Sequence, residues 1–363
     1  MKEGASPVPL KSAVASDDWG QLEGKDIALY TLTNRQGSEV KITNFGATIV
    51  SINVPDRLGR YSDIVLGYEK PEDYLLDEFY IGAVIGRYAN RIAGKTVRIE
   101  GAEYQLATRE GGFHLHGGSR GFNKQVFDAR IVETGTAAGV RFHLLSPHLE
   151  EGFPGELSFT VTYSFSDDNT LEVAYEAISD KSTLVNFTQH SYFNLSGNAG
   201  SGILNHQLQI HSSLYLPVNE IQVPSGEIAA VEGTPFDFRQ FHSIGERINN
   251  RNRQLELSGG YDHSYILETA HSGSTKHAAT VWEEESGRVM DVYTTEPAVH
   301  FYSGNFLRNG TRGKRGHTYG NRNGFCLETQ HFPDAPNNPR FPSTVLPAGK
   351  RFFSKTSFAF STR

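Results

Sequence analysis

A carboxylate and an imidazole in this sequence have the chemistry of a proton-transferring pair. Glu328 lies in the segment 324–334, GFCLETQHFPD, where the apolar Phe325 and Leu327 would point to the opposite face of a strand. A carboxylate is costly to bury unless it is paired, so this position predicts either a functional group or a surface salt bridge. His190 lies in a second such segment, and Glu and His are frequent bases and acids in proton transfer.

The segment 184–197, LVNFTQHSYFNLSG, alternates apolar and polar residues as a strand would. Its polar side chains would share one face, and they are Asn186, Thr188, His190, Tyr192 and Asn194. Five hydrogen-bonding groups on one face indicate the floor of a cleft, with His190 as acid or base and Tyr192 as a wall. A plain solvated face is the alternative.

A His-x-His pattern occurs in the segment 111–118, GGFHLHGG, where His114 and His116 should lie on the same face of a strand. Such a pair can bind zinc, but no third ligand stands at a supportive spacing. We therefore expect no metal and no cofactor, and we expect one of the two imidazoles to hydrogen-bond a substrate.

Three more polar residues could contact a ligand. Asn90 and Arg91 stand side by side in GRYANRI and offer a neutral and a charged donor. Asp262 lies among aromatic residues in YDHSYIL, where it could bind a ligand or cap a turn. The single cysteine, Cys326, has no partner arrangement that marks it as a nucleophile and is expected to be a small buried residue.

The elements that must position these residues are mainly strands. Residues 155–167 alternate strictly between apolar and polar, the cluster Asp167-Asp168-Asn169 forms a turn, and the alternation resumes at 171–177. Helical periodicity is weak, and short helices are expected only near 71–79 and 244–250. Many short strands with frequent turns predict an all-β, antiparallel sandwich or barrel.

Composition limits the partners and the compartment. The 363 residues have a net charge of −7 without a cluster of Lys and Arg, so neither nucleic acid nor an anionic membrane is an expected partner. One cysteine excludes an intrachain disulfide. Residues 1–18 have no apolar h-region and are expected to be a loose leader before one domain at 19–363. The expected location is the cytoplasm, or the periplasm if an upstream signal was removed.

Taken together, these segments resemble the aldose 1-epimerase family, the galactose mutarotases. The resemblance lies in eight blocks, in order along most of the chain, which are NFGATIVS (44–51), GRYANRI (86–92), FHLHGG (113–118), NFTQHSYFNLSG (186–197), GTPFDFR (233–239), YDHSYIL (261–267), FYSGNFL (301–307) and FCLETQHFPDAPNNPRFPS (325–343). The resemblance implies a large antiparallel β-sandwich with few short helices.

The resemblance also implies roles for individual residues. Glu328 takes the position of the family's general base, and His190 that of its general acid. The residues at sugar-binding positions are Asn90, Arg91, His116, Asp262, the neighbouring Tyr192, and His300. His300 stands where the family commonly has glutamine, and Asn123 and Phe127 stand where Asp and Trp are frequent. These departures bear on the choice of sugar rather than on the chemistry.

The expected activity is interconversion of the α and β anomers of a free aldose, such as galactose or glucose, by a monomer or homodimer. An ionised Glu328 would accept the proton of the C1 hydroxyl, and a protonated His190 would donate a proton to the ring oxygen. The neighbouring carboxylate is expected to raise the pKa of His190.

Three alternatives to this activity stay open. A glycoside hydrolase could use Glu328 with Asp262 as its two carboxylates. A sugar-binding module would need no reactive pair. A hexose-6-phosphate epimerase would need a basic cluster, for which only Arg91 is evident.

Overall fold

The fold was examined in a computed structural model that describes residues 12–109, 111–134, 137–268 and 274–363. Strands dominate these residues, and every strand ladder is antiparallel. The predicted all-β class and the antiparallel sandwich are therefore confirmed. Of the helices in the described ranges, none is long and apolar enough to cross a membrane.

Within these ranges the strands are β1 (Ala13–Leu22), β2 (Lys25–Thr33), β3 (Glu39–Thr43), β4 (Ile49–Pro55), β5 (Tyr61–Asp63), β6 (Val84–Ile85), β7 (Arg91–Ala93), β8 (Thr96–Ile99), β9 (Ala102–Gln105), β10 (Phe113–Leu115), β11 (Asp128–Thr134), β12 (Ala137–Ser146), β13 (Leu157–Phe165), β14 (Thr170–Ser179), β15 (Thr183–Leu184), β16 (Thr188–Gln189), β17 (Gln207–Ile210), β18 (Leu214–Tyr215), β19 (Ala229–Ala230), β20 (His242–Ser243), β21 (Asp262–Ile266), β22 (Lys276–Trp282), β23 (Arg288–Thr294), β24 (Ala298–Tyr302), β25 (Thr311–Arg312), β26 (Thr318–Tyr319), β27 (Cys326–Gln330), β28 (Val345–Leu346) and β29 (Arg351–Thr362). The α-helices are α1 (Pro71–Leu76), α2 (Ile244–Arg247) and α3 (Arg253–Ser258).

The predicted hairpin is present as β13 and β14. Every second residue of β13 is fully buried, and the residues between them are partly exposed. The two strands pair from Leu157–Ser179 to Phe165–Leu171 without a register shift. A two-residue period fits a strand that packs one face on a core, and this is why the sequence pattern predicted the hairpin correctly.

Two of the sheets form the framework of the molecule. The larger has nine strands in the order β11-β12-β13-β14-β29-β23-β22-β17-β20. A five-stranded sheet has the order β19-β18-β21-β24-β27. Phe159 of the larger sheet, Phe301 and Leu327 of the smaller one, and Ile52 of β4 belong to one buried apolar cluster. The main core therefore lies between the sheets, and burial of its apolar surface stabilises their packing.

The helices are few and short, as predicted. Helix α1 begins with Pro71, whose missing N–H costs nothing at a helix start, and it ends earlier than expected. Helix α2 covers the first half of the predicted segment 244–250. Helix α3 was not predicted, although Asn252 accepts a hydrogen bond from the Gln254 backbone N–H as an N-cap and Gly259 ends the helix in the left-handed conformation.

The expected leader needs a correction at its boundary. Residues 13–18 form the first half of β1, which pairs with β2 from Ala13–Thr33 to Leu22–Lys25. The alternation of this stretch was too weak to predict a strand, but pairing with β2 satisfies its backbone groups. The expectation for residues 1–11 lies outside the described residues, and the single domain at 19–363 stays a prediction.

Candidate active site

One pocket contains the predicted reactive pair together with most of the predicted ligand-binding residues. Its lining residues are Glu78, Phe79, Tyr80, Asn90, Arg91, Leu115, His116, His190, Tyr192, Asp262, His300, Tyr302, Phe306 and Glu328. The smaller sheet supplies three adjacent strands to this pocket. Across them, Ser264 on β21, His300 on β24 and Glu328 on β27 stand in register, so the sheet fixes their spacing.

Glu328 is buried rather than exposed, so the alternative of a surface salt bridge is wrong. Only 2% of the residue is accessible, and its Oε2 has no hydrogen-bond partner in the part of the chain that is described. Its Oε1 lies 3.6 Å from the Nε2 of His190. Burial, reinforced by the negative charge of Asp262, raises the pKa of the Glu328 carboxyl well above its usual value.

His190 is also buried, and its backbone N–H donates to the carbonyl of Ala83 at 2.9 Å. Burial lowers the pKa of His190 to about 4, so the expectation that the neighbouring carboxylate would raise this pKa is wrong. Desolvation penalises the charged form of both groups. Burial therefore shifts both pKa values toward the uncharged forms, a protonated carboxyl at Glu328 and a neutral imidazole at His190.

The segment 184–197 is not the single strand that its alternation predicted. It is broken into β15 and β16, after which Phe193 bridges to both Val65 and Phe325. Both of its faces are buried as far as Leu195, because other segments pack on each side. The plain solvated face is therefore excluded.

Only two of the five polar side chains of this segment, His190 and Tyr192, line the pocket. The amide of Asn186 instead donates to the carbonyl of Ala89 at 3.2 Å, and that of Asn194 donates to the carbonyl of Asn323 at 2.9 Å. Tyr192 is held in place by its hydroxyl, which donates to the carbonyl of Phe79 at 3.0 Å.

The two imidazoles of the His-x-His pattern do not share a face. Strand β10 ends at Leu115, and His116 adopts a left-handed backbone conformation with φ of 50° that turns it into the pocket. His114 packs edge-on against Phe153 and contacts the carbonyl of Ala107 through Nδ1 at 2.7 Å. The expectation that His114 and His116 share a strand face is therefore wrong, because the strand ends between them.

By distance alone, a metal ion could be held by a different set, because one ligand atom each of His116, His190 and Glu328 lies within 4.8 Å of the other two. The spacing of these three residues in the sequence did not indicate such a set. The hydrogen bonding of His116 does not suit a metal ligand, however, because a metal-bound histidine normally donates its other N–H. Here the Nδ1 of His116 accepts from the backbone N–H of Asn90 at 3.2 Å. The proton of a neutral His116 is thus on Nε2, which suits donation to a ligand oxygen.

Asp262 is the centre of a charged network on the wall of the pocket. Its Oδ1 lies 2.7 Å from the Nε2 of His300, and its Oδ2 lies 3.5 Å from a guanidinium nitrogen of Arg91. Burial alone would raise the pKa of Asp262, but the Arg91 charge and the hydrogen bond from His300 hold it below its usual value. Asp262 is therefore ionised, in contrast to Glu328 in the same pocket.

Several functional neighbours were not predicted from the sequence. Ser264 contacts the Nδ1 of His300 at 2.8 Å, and Gln222 accepts a hydrogen bond from Arg91 at 2.8 Å. Tyr80, Tyr302 and Phe306 line the pocket as aromatic walls, whereas abundant aromatics elsewhere pack in the core. A signal for Ser264 did exist, because it lies two residues after Asp262 and so shares its strand face.

The other two departures from the family pattern lie away from the pocket lining. Phe127 is buried and packs edge-on against Phe122 and Phe159. Asn123 belongs to a short 3-10 turn, also buried. Of the three departures, only His300 lines the pocket.

Comparison with known proteins gives the same family throughout. The family model described as aldose 1-epimerase matches residues 28–359. The galactose mutarotase of Homo sapiens is 45% identical over 323 residues, 89% of this chain and 91% of that protein. The aldose 1-epimerase of Escherichia coli (strain K12) is 38% identical over 340 residues, 93% of this chain and 96% of that protein. The structure of galactose 1-epimerase from Lactobacillus acidophilus NCFM matches with a TM-score of 0.85 at 29% identity, covering 97% of this chain and 99% of that one.

Proposed function

This chain belongs to the aldose 1-epimerase family and interconverts the α and β anomers of aldoses, and from that premise we propose that Glu328 and His190 transfer the two protons of the reaction. The observation that carries the proposal is the 3.6 Å approach of Glu328 Oε1 to His190 Nε2 inside one buried pocket. Two groups this close together can both come within hydrogen-bond reach of oxygens bonded to one carbon.

The reaction opens a cyclic hemiacetal and closes it on the other face of C1. One proton leaves the C1 hydroxyl, the bond from C1 to the ring oxygen breaks, and a second proton reaches the ring oxygen. Rotation about C1–C2 and the reverse transfers complete the exchange. In our proposal Glu328 accepts the first proton and His190 supplies the second, so the enzyme returns to its starting state without a net gain or loss of protons.

The directions of the two pKa shifts are compatible with this proposal. A protonated Glu328 with a neutral His190 contains the same number of protons as a carboxylate with an imidazolium. The two forms differ only by one proton moved between neighbouring groups. Sugar oxygens bound between them would supply the hydrogen bonds that the ionised form needs, including a partner for the unpaired Oε2 of Glu328.

We assign sugar binding to the other polar residues of the pocket. This set consists of Asn90, Arg91, His116, Tyr192, Asp262 and His300. The ionised Asp262 is an acceptor for sugar hydroxyls, and the Nε2–H of His116 is a donor. The remaining residues should hold the ring without preventing rotation about C1–C2.

We propose that the substrate is a neutral free aldose such as galactose or glucose. Galactose is in the name of the human relative, and the pocket lining contains one guanidinium and no lysine. The charge of Arg91 already faces the carboxylate of Asp262, and a single guanidinium is not the basic cluster that a sugar phosphate needs. These contacts favour the epimerase of free aldoses over the hexose-6-phosphate alternative.

The test is polarimetry of freshly dissolved α-glucose, α-galactose and xylose, with and without the protein. Glu328→Gln and His190→Asn should each slow anomer exchange by roughly 10²–10⁴-fold, because each removes one proton transfer. The double variant should be little worse than either single one, since the groups act as a unit. Thr329→Val, on the opposite face of β27, is the matched control and should keep the wild-type rate. A wild-type rate in Glu328→Gln would exclude this assignment.

We also propose a cytoplasmic location, which a chain with a single cysteine suits because no disulfide is needed. The proposed oligomeric state is a monomer or a homodimer. Light scattering of the purified protein would distinguish the two, and a larger assembly would contradict the proposal.

A further inference from the structure

Gln222 lies outside the pocket lining but contacts one of its charged residues. Its side-chain Nε2 donates to the backbone carbonyl of Leu257 at 3.0 Å, and its Oε1 accepts from the Nη2 of Arg91 at 2.8 Å. A carbonyl can only accept and a guanidinium can only donate, so these two partners fix the orientation of the amide. The acceptor oxygen of Gln222 therefore faces Arg91.

The backbone of Gln222 has an uncommon conformation. Its φ is 59°, in the left-handed region that residues other than glycine seldom adopt. The Asn219 side chain closes the turn on both sides of Gln222, because its Oδ1 accepts from the backbone N–H of Ile221 at 3.1 Å and from that of Val223 at 3.2 Å. Such a conformation costs free energy and persists where the surrounding structure supports it. The closed turn keeps Gln222 where its amide meets Arg91.

The same nitrogen of Arg91 also faces Asp262. This Nη2 lies 2.8 Å from the Oε1 of Gln222 but 3.5 Å from the Oδ2 of Asp262. A hydrogen bond from a guanidinium to a carboxylate is normally about 2.7–2.9 Å long, so Arg91 stands back from Asp262. Although burial opposes the effect, the charge of Arg91 still helps to lower the pKa of Asp262, because Coulomb attraction falls only slowly with distance.

The two carboxylate oxygens of Asp262 are therefore in different states. Oδ1 lies 2.7 Å from the Nε2 of His300 and is engaged in a hydrogen bond. Oδ2 accepts no hydrogen bond from any residue in the described ranges, and Asp262 lines the pocket. An ionised carboxylate oxygen without a donor is a strong acceptor for a hydroxyl.

We propose that Gln222 is a positioning residue that holds Arg91 back from Asp262, so that the Oδ2 of Asp262 stays free to accept a hydrogen bond from a sugar hydroxyl. Arg91 then supplies the charge that keeps Asp262 ionised, and Gln222 takes the hydrogen bond that would otherwise occupy the carboxylate. This inference rests on the proposed sugar-binding role of Asp262. Gln222 acts through Arg91 and does not contact the sugar.

Crystal structures of the wild type and of Gln222→Met test the positioning directly. Methionine keeps the length of the side chain and removes the acceptor for Arg91. The distance from Arg91 Nη2 to Asp262 Oδ2 should fall from 3.5 Å to below about 3 Å, and Gln222→Glu, which keeps an acceptor, should hold it near the wild-type value. An unchanged distance in Gln222→Met would overturn the proposal. Because this readout needs no activity, its failure is distinct from failure of the proposed function.

Polarimetry of the same variants tests the consequence for the sugar. Gln222→Met should raise KM about two- to tenfold with kcat unchanged, the range for one ordinary hydrogen bond, because Arg91 and the sugar hydroxyl then compete for Oδ2. Gln222→Glu should restore most of the affinity. Gln209→Met is the matched control and should keep the wild-type KM, since its amide donates to the carbonyl of Arg239 outside the pocket lining.

Two outcomes separate this proposal from the role of Asp262 itself. If the distance shortens in Gln222→Met while KM stays at or below the wild-type value, Gln222 does not keep an acceptor free for the sugar, and the proposal is overturned. If Asp262→Ala leaves KM unchanged, the sugar-binding role of Asp262 fails, and this inference fails with it.

Discussion

The β13–β14 hairpin and the pocket are built in opposite ways. In the hairpin, residues alternate between core and surface, and the strands pair in one uninterrupted register. In the pocket, three lining residues, Tyr80, Asn90 and His116, have positive φ angles although none is a glycine. Such conformations are uncommon and need support from the surrounding structure. The hairpin therefore stabilises the fold. The surrounding fold in turn holds the less favourable backbone conformations of the pocket residues.

The largest effect should come from removing core volume in the hairpin. Phe165 is fully buried at the end of β13 and lies outside the pocket lining. Phe165→Ala should lower the free energy of unfolding by about 3–5 kcal/mol, because it leaves a cavity in a packed core. Urea unfolding measures this change, and polarimetry of the folded fraction should give the wild-type kcat.

The control for this variant is Ser164→Ala, on the partly exposed face of the same strand, which should change stability by less than about 0.5 kcal/mol. If Phe165→Ala lowered kcat without lowering stability, the separation between the two regions would be wrong.

A smaller effect, on sugar binding rather than on stability, should come from replacing Asp262. Asp262→Ala leaves Arg91 and His300 without their buried partner and should weaken sugar binding by about 1–3 kcal/mol, seen as a raised KM. The proton transfers should continue, since we propose that Asp262 binds sugar rather than reacting with it. Asp167→Ala, whose carboxylate pairs with Arg35 outside the pocket lining, is the control. A collapse of kcat at unchanged KM would instead place Asp262 in the reactive pair.

An effect that depends on pH should separate His114 from His116, two residues apart at the border between scaffold and pocket. Burial lowers the pKa of His114 to about 4, against about 6.5 in the unfolded chain. Above pH 6.5 both states are neutral there and stability is complete. As pH falls from 6.5 toward 4, only the unfolded state gains the proton, so stability falls by up to about 1.4 kcal/mol per pH unit.

His114→Gln should reduce this slope and leave anomer exchange at pH 7 unchanged. Urea unfolding at several pH values measures the slope. His116→Gln is the matched comparison, and it should raise KM for the sugar. If His114→Gln raised KM and left the slope unaltered, His114 would belong to the pocket.

The sequence predicted the hairpin because its pattern depends on one periodicity, and it marked Glu328 and His190 as candidates, which lie in one pocket, because buried polar groups are rare. It did not predict how the segment 184–197 breaks, because both of its faces are covered by segments far away in the chain. The separation of His114 from His116 depends on where β10 ends. The pKa shifts of Glu328 and His190 depend on how completely the folded chain excludes water, which no local pattern records.

Strand β29 occupies the middle of the nine-stranded sheet, between β14 and β23, and the ribosome makes it after every residue of the pocket. Synthesis therefore reaches His190 and Glu328 before β29, the strand that joins β14 to β23 in the larger sheet. Until residues 351–362 emerge, both neighbouring strands have an open edge, and open edges invite pairing with other chains. The nascent polypeptide thus has open strand edges at a stage when every residue of its pocket has already been made.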